Sequence, residues 1–142
     1  AESQLWYNVI NMLPQENRLR KLRDFTLVMK HGLWIRGWFL DIKVLELAKN
    51  EDFYPKKENP ESFKKQLKLA IAAGLKVHKS AVKRNRVRRQ IREVLRLLIK
   101  DRKIKNGYYI LVVAKKETLD KEYAEISEEL KVLLGRGKVL NI

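Results

Sequence analysis

The chain has 142 residues, 45% of them hydrophobic, enough for one real core and too few for two full domains. A formal charge of +15 with no cysteine excludes disulfides, thiolate nucleophiles and cysteine-based zinc sites, and it points to a polyanionic partner. No apolar run approaches the roughly 20 residues of a membrane span and the start lacks a signal-peptide pattern, so a cytoplasmic protein is expected.

Leu5, Trp6, Tyr7, Val9 and Ile10 form an apolar stretch too short to type. Phe25, Val28 and Met29 then recur at helical spacing up to Gly32, which predicts a short helix with Asp24 as its N-cap and glycine past its end. Leu40, Ile42 and Val44 alternate with Asp41 and Lys43, the period of a strand with one buried face. Pro55, Pro60 and dense charge mark 50–66 as an inserted loop, read as mobile. Leu67, Leu69 and Ile71 alternate with Lys68, Ala70 and Ala72, a second strand ended by Gly74. The strongest helix runs from Ser80 to about Lys100, because Val87, Ile91, Val94, Leu95 and Leu98 fall on one stripe. Tyr108 to Ala114 is a continuous apolar run, as expected of a strand buried on both faces. Asp120 is expected to cap a last helix with the stripe Tyr123, Ile126, Leu130, Leu133 and Leu134, ending at Gly135. This order predicts an α+β fold, one sheet with helices on one face and the other face open.

The charge is concentrated. Thirteen lysines and arginines stand against two acids between 76 and 106, whereas 107–142 is neutral. On a helical wheel Asn85, Arg86, Arg89, Arg92 and Arg96 project away from the apolar stripe, while Arg84 and Arg88 border it and can reach over the sheet edge. The planar fork of arginine matches phosphate, which favours nucleic acid over a membrane surface. Lys76, Lys79 and Lys83 crowd the helix start against its dipole, a penalty that a bound phosphate reverses. His31 and His78 have no companion nucleophile nearby in sequence. Asp120, Glu122, Glu125, Glu128 and Glu129 read as the wet face of the last helix rather than a metal site. With no Gly-rich phosphate loop either, no catalytic or metal-ligating residue is assigned.

The run Arg84-Asn85-Arg86, set within Lys79 to Glu93, closely resembles the signature of bacterial ribonuclease P proteins. Leu13-Pro14, Asn17 to Lys21, Asp24-Phe25 and the stretch from Leu119-Asp120 to Leu134 are similar to that family's start and end. The likeness begins near Met12, so 1–11 and the 50–66 loop are read as additions to a single domain over 1–142. It implies a three-layered α/β sandwich of ribosomal-protein-domain type, in which the arginine helix follows a strand through a left-handed βαβ crossover. It further implies a non-catalytic protein subunit, monomeric in a one-to-one ribonucleoprotein, that binds ribonuclease P RNA and the 5′ leader of precursor tRNA. The RNA performs the cleavage with Mg2+, and the protein alone holds no cofactor. The expected RNA contacts are Lys79, Lys83, Arg84, Asn85, Arg86, Arg88, Arg89, Arg92 and Arg96; the expected leader cleft comprises Phe25, Met29, Lys43 and Lys76. The sequence departs from the family where Met29 replaces a usual aromatic, where Lys43 stands near another, and at Ala70 to Lys76, which keeps one lysine of a pair. The competing readings are a general RNA-binding or ribosome-associated protein, and a protein-only nuclease acting through a carboxylate such as Asp41 or Glu125.

Overall fold

Four strands and four α-helices, linked by short 3-10 turns, are built from residues 13–141, the part of the chain that the computed structural model describes. The apolar stretch 5–10 and the extension 1–11 lie outside these residues. In chain order come α1 (Leu22–His31), β1 (Leu33–Arg36), β2 (Leu40–Glu46), α2 (Pro60–Phe63), β3 (Leu67–Ala72), α3 (Ala81–Lys100), β4 (Tyr108–Ala114) and α4 (Tyr123–Arg136). The sheet order is β1-β2-β4-β3. Pairing is antiparallel except between β3 and β4, whose parallel alignment needs a crossover, and α3 supplies it.

The two-residue period of β2 and β4 divides the core. Leu40, Ile42, Val44, Ile110 and Val112 point to one face, where they pack with Val87, Ile91, Val94, Leu95 and Leu98 of α3 and Ile126, Leu130, Leu133 and Leu134 of α4. Each of these side chains contributes about 1.5–3 kcal/mol when fully removed from water. Leu45, Tyr109 and Leu111 point to the other face, where Val28 of α1 and Phe63 of α2 meet them. The expected α+β sheet is present, but helices on one face alone is corrected: α1 crosses the second face and makes a third layer. Val28 decided this, being completely buried, whereas the sequence pattern around it gave no indication of which face it would meet.

Two predicted caps are also corrected. α1 starts at Leu22 with Lys21 in the cap position, and Asp24 is buried in the first turn, where burial pushes its carboxyl up. α4 is opened by a reciprocal capping box between Glu122 and Glu125, while Asp120 closes the preceding 3-10 turn. That helix also runs through Gly135 to Arg136, and Gly137 follows it. The 50–66 segment is anchored rather than a free loop: Phe63 is buried, and the Tyr54 hydroxyl donates to the Leu47 carbonyl at 2.6 Å.

β1, which no sequence period announced, joins β2 through a tight hairpin. Gly37 is required there, since a Cβ would stand 2.3 Å from the Leu40 carbonyl oxygen. The turn is held from outside the hairpin by the Glu129 carboxylate of α4, which accepts from the N–H groups of Trp38, Phe39 and Leu40 at 2.8, 2.9 and 2.8 Å. Glu129 is thus a fastening rather than part of a wet acidic face. Glu129→Ala is expected to lower the unfolding free energy by about 1–3 kcal/mol, read from urea denaturation, because it strands three amides on charge-assisted bonds. Unchanged stability would show that the turn holds itself.

Candidate nucleic-acid interface

The arginine helix is held at its start by local bonds. Ser80 caps it, accepting from the Lys83 N–H at 3.5 Å, and His78 Nδ1 accepts from the Ser80 N–H at 2.8 Å, so His78 is a structural residue. Arg84 donates to the carbonyls of His78 and Lys79, both at 3.1 Å, and Arg88 donates to the Ala73 carbonyl at 2.9 Å and to Asn85 Oδ1 at 2.7 Å. These two border the stripe, as the wheel predicts. Arg86 reaches the Leu119 carbonyl at 2.9 Å on the α4 side. Arg96 is engaged by Glu93 through two bonds of 2.7 and 3.0 Å, which leaves it the least available of the expected contacts. Lys79, Lys83, Asn85 and Arg89 are exposed, as is Lys76 in the turn after β3.

Arg92 departs from the wheel reading. It is half-buried and leans over the β3 edge, where Arg18, Arg88 and Arg92 line a cavity of about 420 Å3 floored by Leu69, Ala70 and Ile71. Arg18 is delivered by the segment ahead of α1. That segment pairs with β3 through a bridge at Leu69, fixed by the Leu19 N–H on the Leu69 carbonyl (2.9 Å) and Asn17 Nδ2 on the Leu67 carbonyl (2.8 Å). Burial, then the charges of Arg88, Arg89 and Arg18, pull Arg92 below the ordinary arginine value. Among the described residues no acid pairs with Arg84, Arg86, Arg88 or Arg92. The cluster is therefore a store of like-charge repulsion that a polyanion relieves. Sequence reasoning left Arg18 out of the site; only its place in the basic run from Arg18 to Lys21 hinted at it.

The second face supplies a partly open strip, in which Trp34, Arg36, Val113, Ala70 and Ala72 keep some exposure while Asp41, Lys43 and Leu111 are buried. Cross-strand registers set Arg36, Asp41, Val113 and Ala72 in one row and Trp34, Lys43, Leu111 and Ala70 in the next, all on the α1 side. Phe25 and Met29, one turn apart on α1, are 36% and 44% exposed beside it. Lys43 does not present its charge to solvent. It is buried beneath the end of α1, where Nζ donates to the Met29 carbonyl at 2.6 Å and its stem lies so close to Gly32 that a Cβ there would be 3.0 Å away. Asp41, also buried, accepts from the Gly37 N–H and pairs with Arg36 and Lys115, each at 3.0 Å. Burial would raise its carboxyl, but those three donors outweigh it and hold Asp41 below the usual carboxylate range. Among the described residues no three histidine or acidic side chains gather to hold a metal ion, and no helix is long and apolar enough to cross a membrane.

Comparison with known proteins agrees on one family. The family model described as Ribonuclease P matches residues 13–138. The ribonuclease P protein component of a Pseudanabaena species is 33% identical over 92% of this chain and 98% of its own length, and that of Clostridioides difficile is 36% identical over 85% and 91%. Among solved structures, the ribonuclease P protein of Staphylococcus aureus superposes with a TM-score of 0.67 at 24% identity, covering 92% of this chain and 96% of that one. The Thermotoga maritima protein gives 0.62 at 23% identity over 84% and 96%.

Asp41 makes stability pH-dependent with a definite sign. Its folded carboxyl is depressed, so its contribution is complete above the unfolded value of about 4 and is lost as pH falls through the folded one. In urea denaturation series from neutral to acid pH, the stability gap between the wild type and Asp41→Asn should stay constant near neutrality and close below about pH 4. A gap that does not change with pH would show that the carboxylate charge is not what the three donors stabilise.

Proposed function

The chain belongs to the ribonuclease P protein family, and from that premise we propose that the arginine helix grips ribonuclease P RNA while the open strip takes the single-stranded 5′ leader of precursor tRNA. As the protein component it is a subunit of an endoribonuclease and serves tRNA processing. The observation that carries the finer reading is the unneutralised cluster of Arg18, Arg88 and Arg92 at the β3 edge. Phosphates entering it replace repulsion between guanidinium groups with charge-assisted hydrogen bonds and release counterions into solution.

The chain contributes binding and orientation. Arg88 and Arg92 hold the RNA subunit at the sheet edge, with Asn85 and the outward cations of α3 beside them. Phe25, exposed on the neighbouring wall, stacks on an unpaired leader base, and Met29 lends a soft apolar contact. The chemistry of hydrolysis, activation of water and stabilisation of the leaving oxygen, is supplied by magnesium on the RNA in this reading. The complex is one protein per RNA, acting in the cytoplasm.

Adding the protein to a ribonuclease P RNA at low magnesium should restore cleavage at the mature 5′ end; no gain in cleavage would overturn the proposal. RNA affinity should fall with salt along a log-log slope of about −4 if five phosphates are engaged, whereas a flat profile would remove α3 as the contact surface. Arg92→Ala gives a sign test: RNA affinity drops roughly tenfold, about 1.4 kcal/mol, while thermal stability stays level or rises because repulsion within the cluster is relieved. Loss of stability together with affinity would make Arg92 a structural residue.

A further inference from the structure

β1 places a large aromatic ring where the core has no use for it. Along this strand Ile35 packs against the α3–α4 side, while Trp34 and Arg36 turn to the opposite face with Lys43 and Asp41 as their cross-strand partners. Trp34 is therefore at the far end of the same row that runs through Lys43 and Leu111 to Ala70. At the spacing of neighbouring strands it lies about 14 Å from the β3 end of the row. The indole is 38% exposed. Two cations lie against it: the Arg36 guanidinium carbon is 4.5 Å from the ring centroid and Lys43 Nζ is 5.1 Å from it. Lys43 is in turn fixed by the Met29 carbonyl, and Arg36 by Asp41, so the ring is held by two anchored charges.

An exposed indole braced in this way is costly in water and well suited to a flat partner. A nucleobase presents such a plane whatever its identity, and stacking on an aromatic ring tolerates any sequence. The Arg36 side chain, 65% exposed with one nitrogen on Asp41, keeps further N–H groups for the phosphate that accompanies the base. A duplex would not present a base face here, so the fitting ligand is an unpaired strand.

We infer that Trp34 with Arg36 forms a second stacking station for single-stranded RNA, at the β1 end of the strip and beyond Phe25 and Met29, where it takes the leader-distal part of precursor tRNA. This rests on the leader assignment made above, and it adds a contact point on β1 to the two individual contacts, Phe25 and Met29, which are both on α1. The two stations are carried by different elements, Phe25 and Met29 by α1 and Trp34 by β1, so the length of the leader decides whether both are filled.

The test uses the reconstituted holoenzyme with two precursor tRNAs, one carrying a long unstructured leader and one carrying a leader cut to one or two nucleotides. Trp34→Ala should weaken binding of the long-leader substrate at least fivefold, the low end of a single base–aromatic stack, and leave the short-leader substrate unchanged. Trp34→Phe, which keeps a ring, should recover most of the loss. In a chain whose other tryptophans, Trp6 and Trp38, are changed to phenylalanine, a leader oligonucleotide should quench the remaining emission. Equal losses on both substrates, or no loss on either, would overturn the inference, as would emission unaffected by the oligonucleotide. Far-UV melting of both variants checks the fold, and a misfolded Trp34→Ala leaves Trp34→Phe and the quenching to decide. If the wild type gave no RNA-dependent cleavage, the leader assignment itself would fall; if it cleaves normally and only the leader-length effect is missing, Trp34 alone is removed.

Discussion

A strand buried on both faces has to be roofed on both faces, and β4 imposes that requirement on the whole molecule. Ile110 and Val112 need cover on one side, Tyr109 and Leu111 on the other. Two long helices satisfy the first side completely. On the second side the ten residues of α1 and the single turn of α2 cover only part of a four-stranded face, so a strip from Ala72 to Arg36 is left partly open. The ligand-accessible surface is thus the uncovered part of a core layer. The parallel pairing of β3 with β4 adds the rest, since the crossover it demands is α3, and Arg88 on that helix bonds back to the end of β3.

Charge is distributed by the same logic. Acids pair with several cations elsewhere on the surface: Asp41 answers Arg36 and Lys115, Glu58 answers Arg23, Glu93 answers Arg96 and Glu61 answers Lys64. At the β3 edge they do not, and three arginines converge on apolar ground. The contrast matters more than the formal total, because a compensated cation attracts little while an uncompensated cluster in a low-dielectric recess projects its field.

Long periodic elements were legible in the sequence. β4 and α3 have the expected extents, and the stripe from Val87 to Leu98 is buried as its spacing requires. Short or context-dependent features were not. β1 has four residues and only two inward positions, too few to establish a period, and its partner is what makes it a strand. Asp24 and Asp120 are good capping residues by type, but burial claimed the first and a 3-10 turn the second. Arg92 sits at a wheel angle that reads as outward until the β3 edge is placed beside it, and the site at Arg18 depends on a bridge across fifty residues. Lys43 has the right strand parity for the open face, yet the last turn of α1 lies over it.

The clasp of one carboxylate on three consecutive amides at the hairpin turn has a mechanical meaning. It welds the β1 corner to α4, so this margin of the sheet cannot swing as a flap. Under the function proposed above, a strand arriving there meets a surface already in its final shape, and little ordering entropy is lost on contact. How long such a strand dwells is then governed by its rate of escape rather than by any closing movement of the protein.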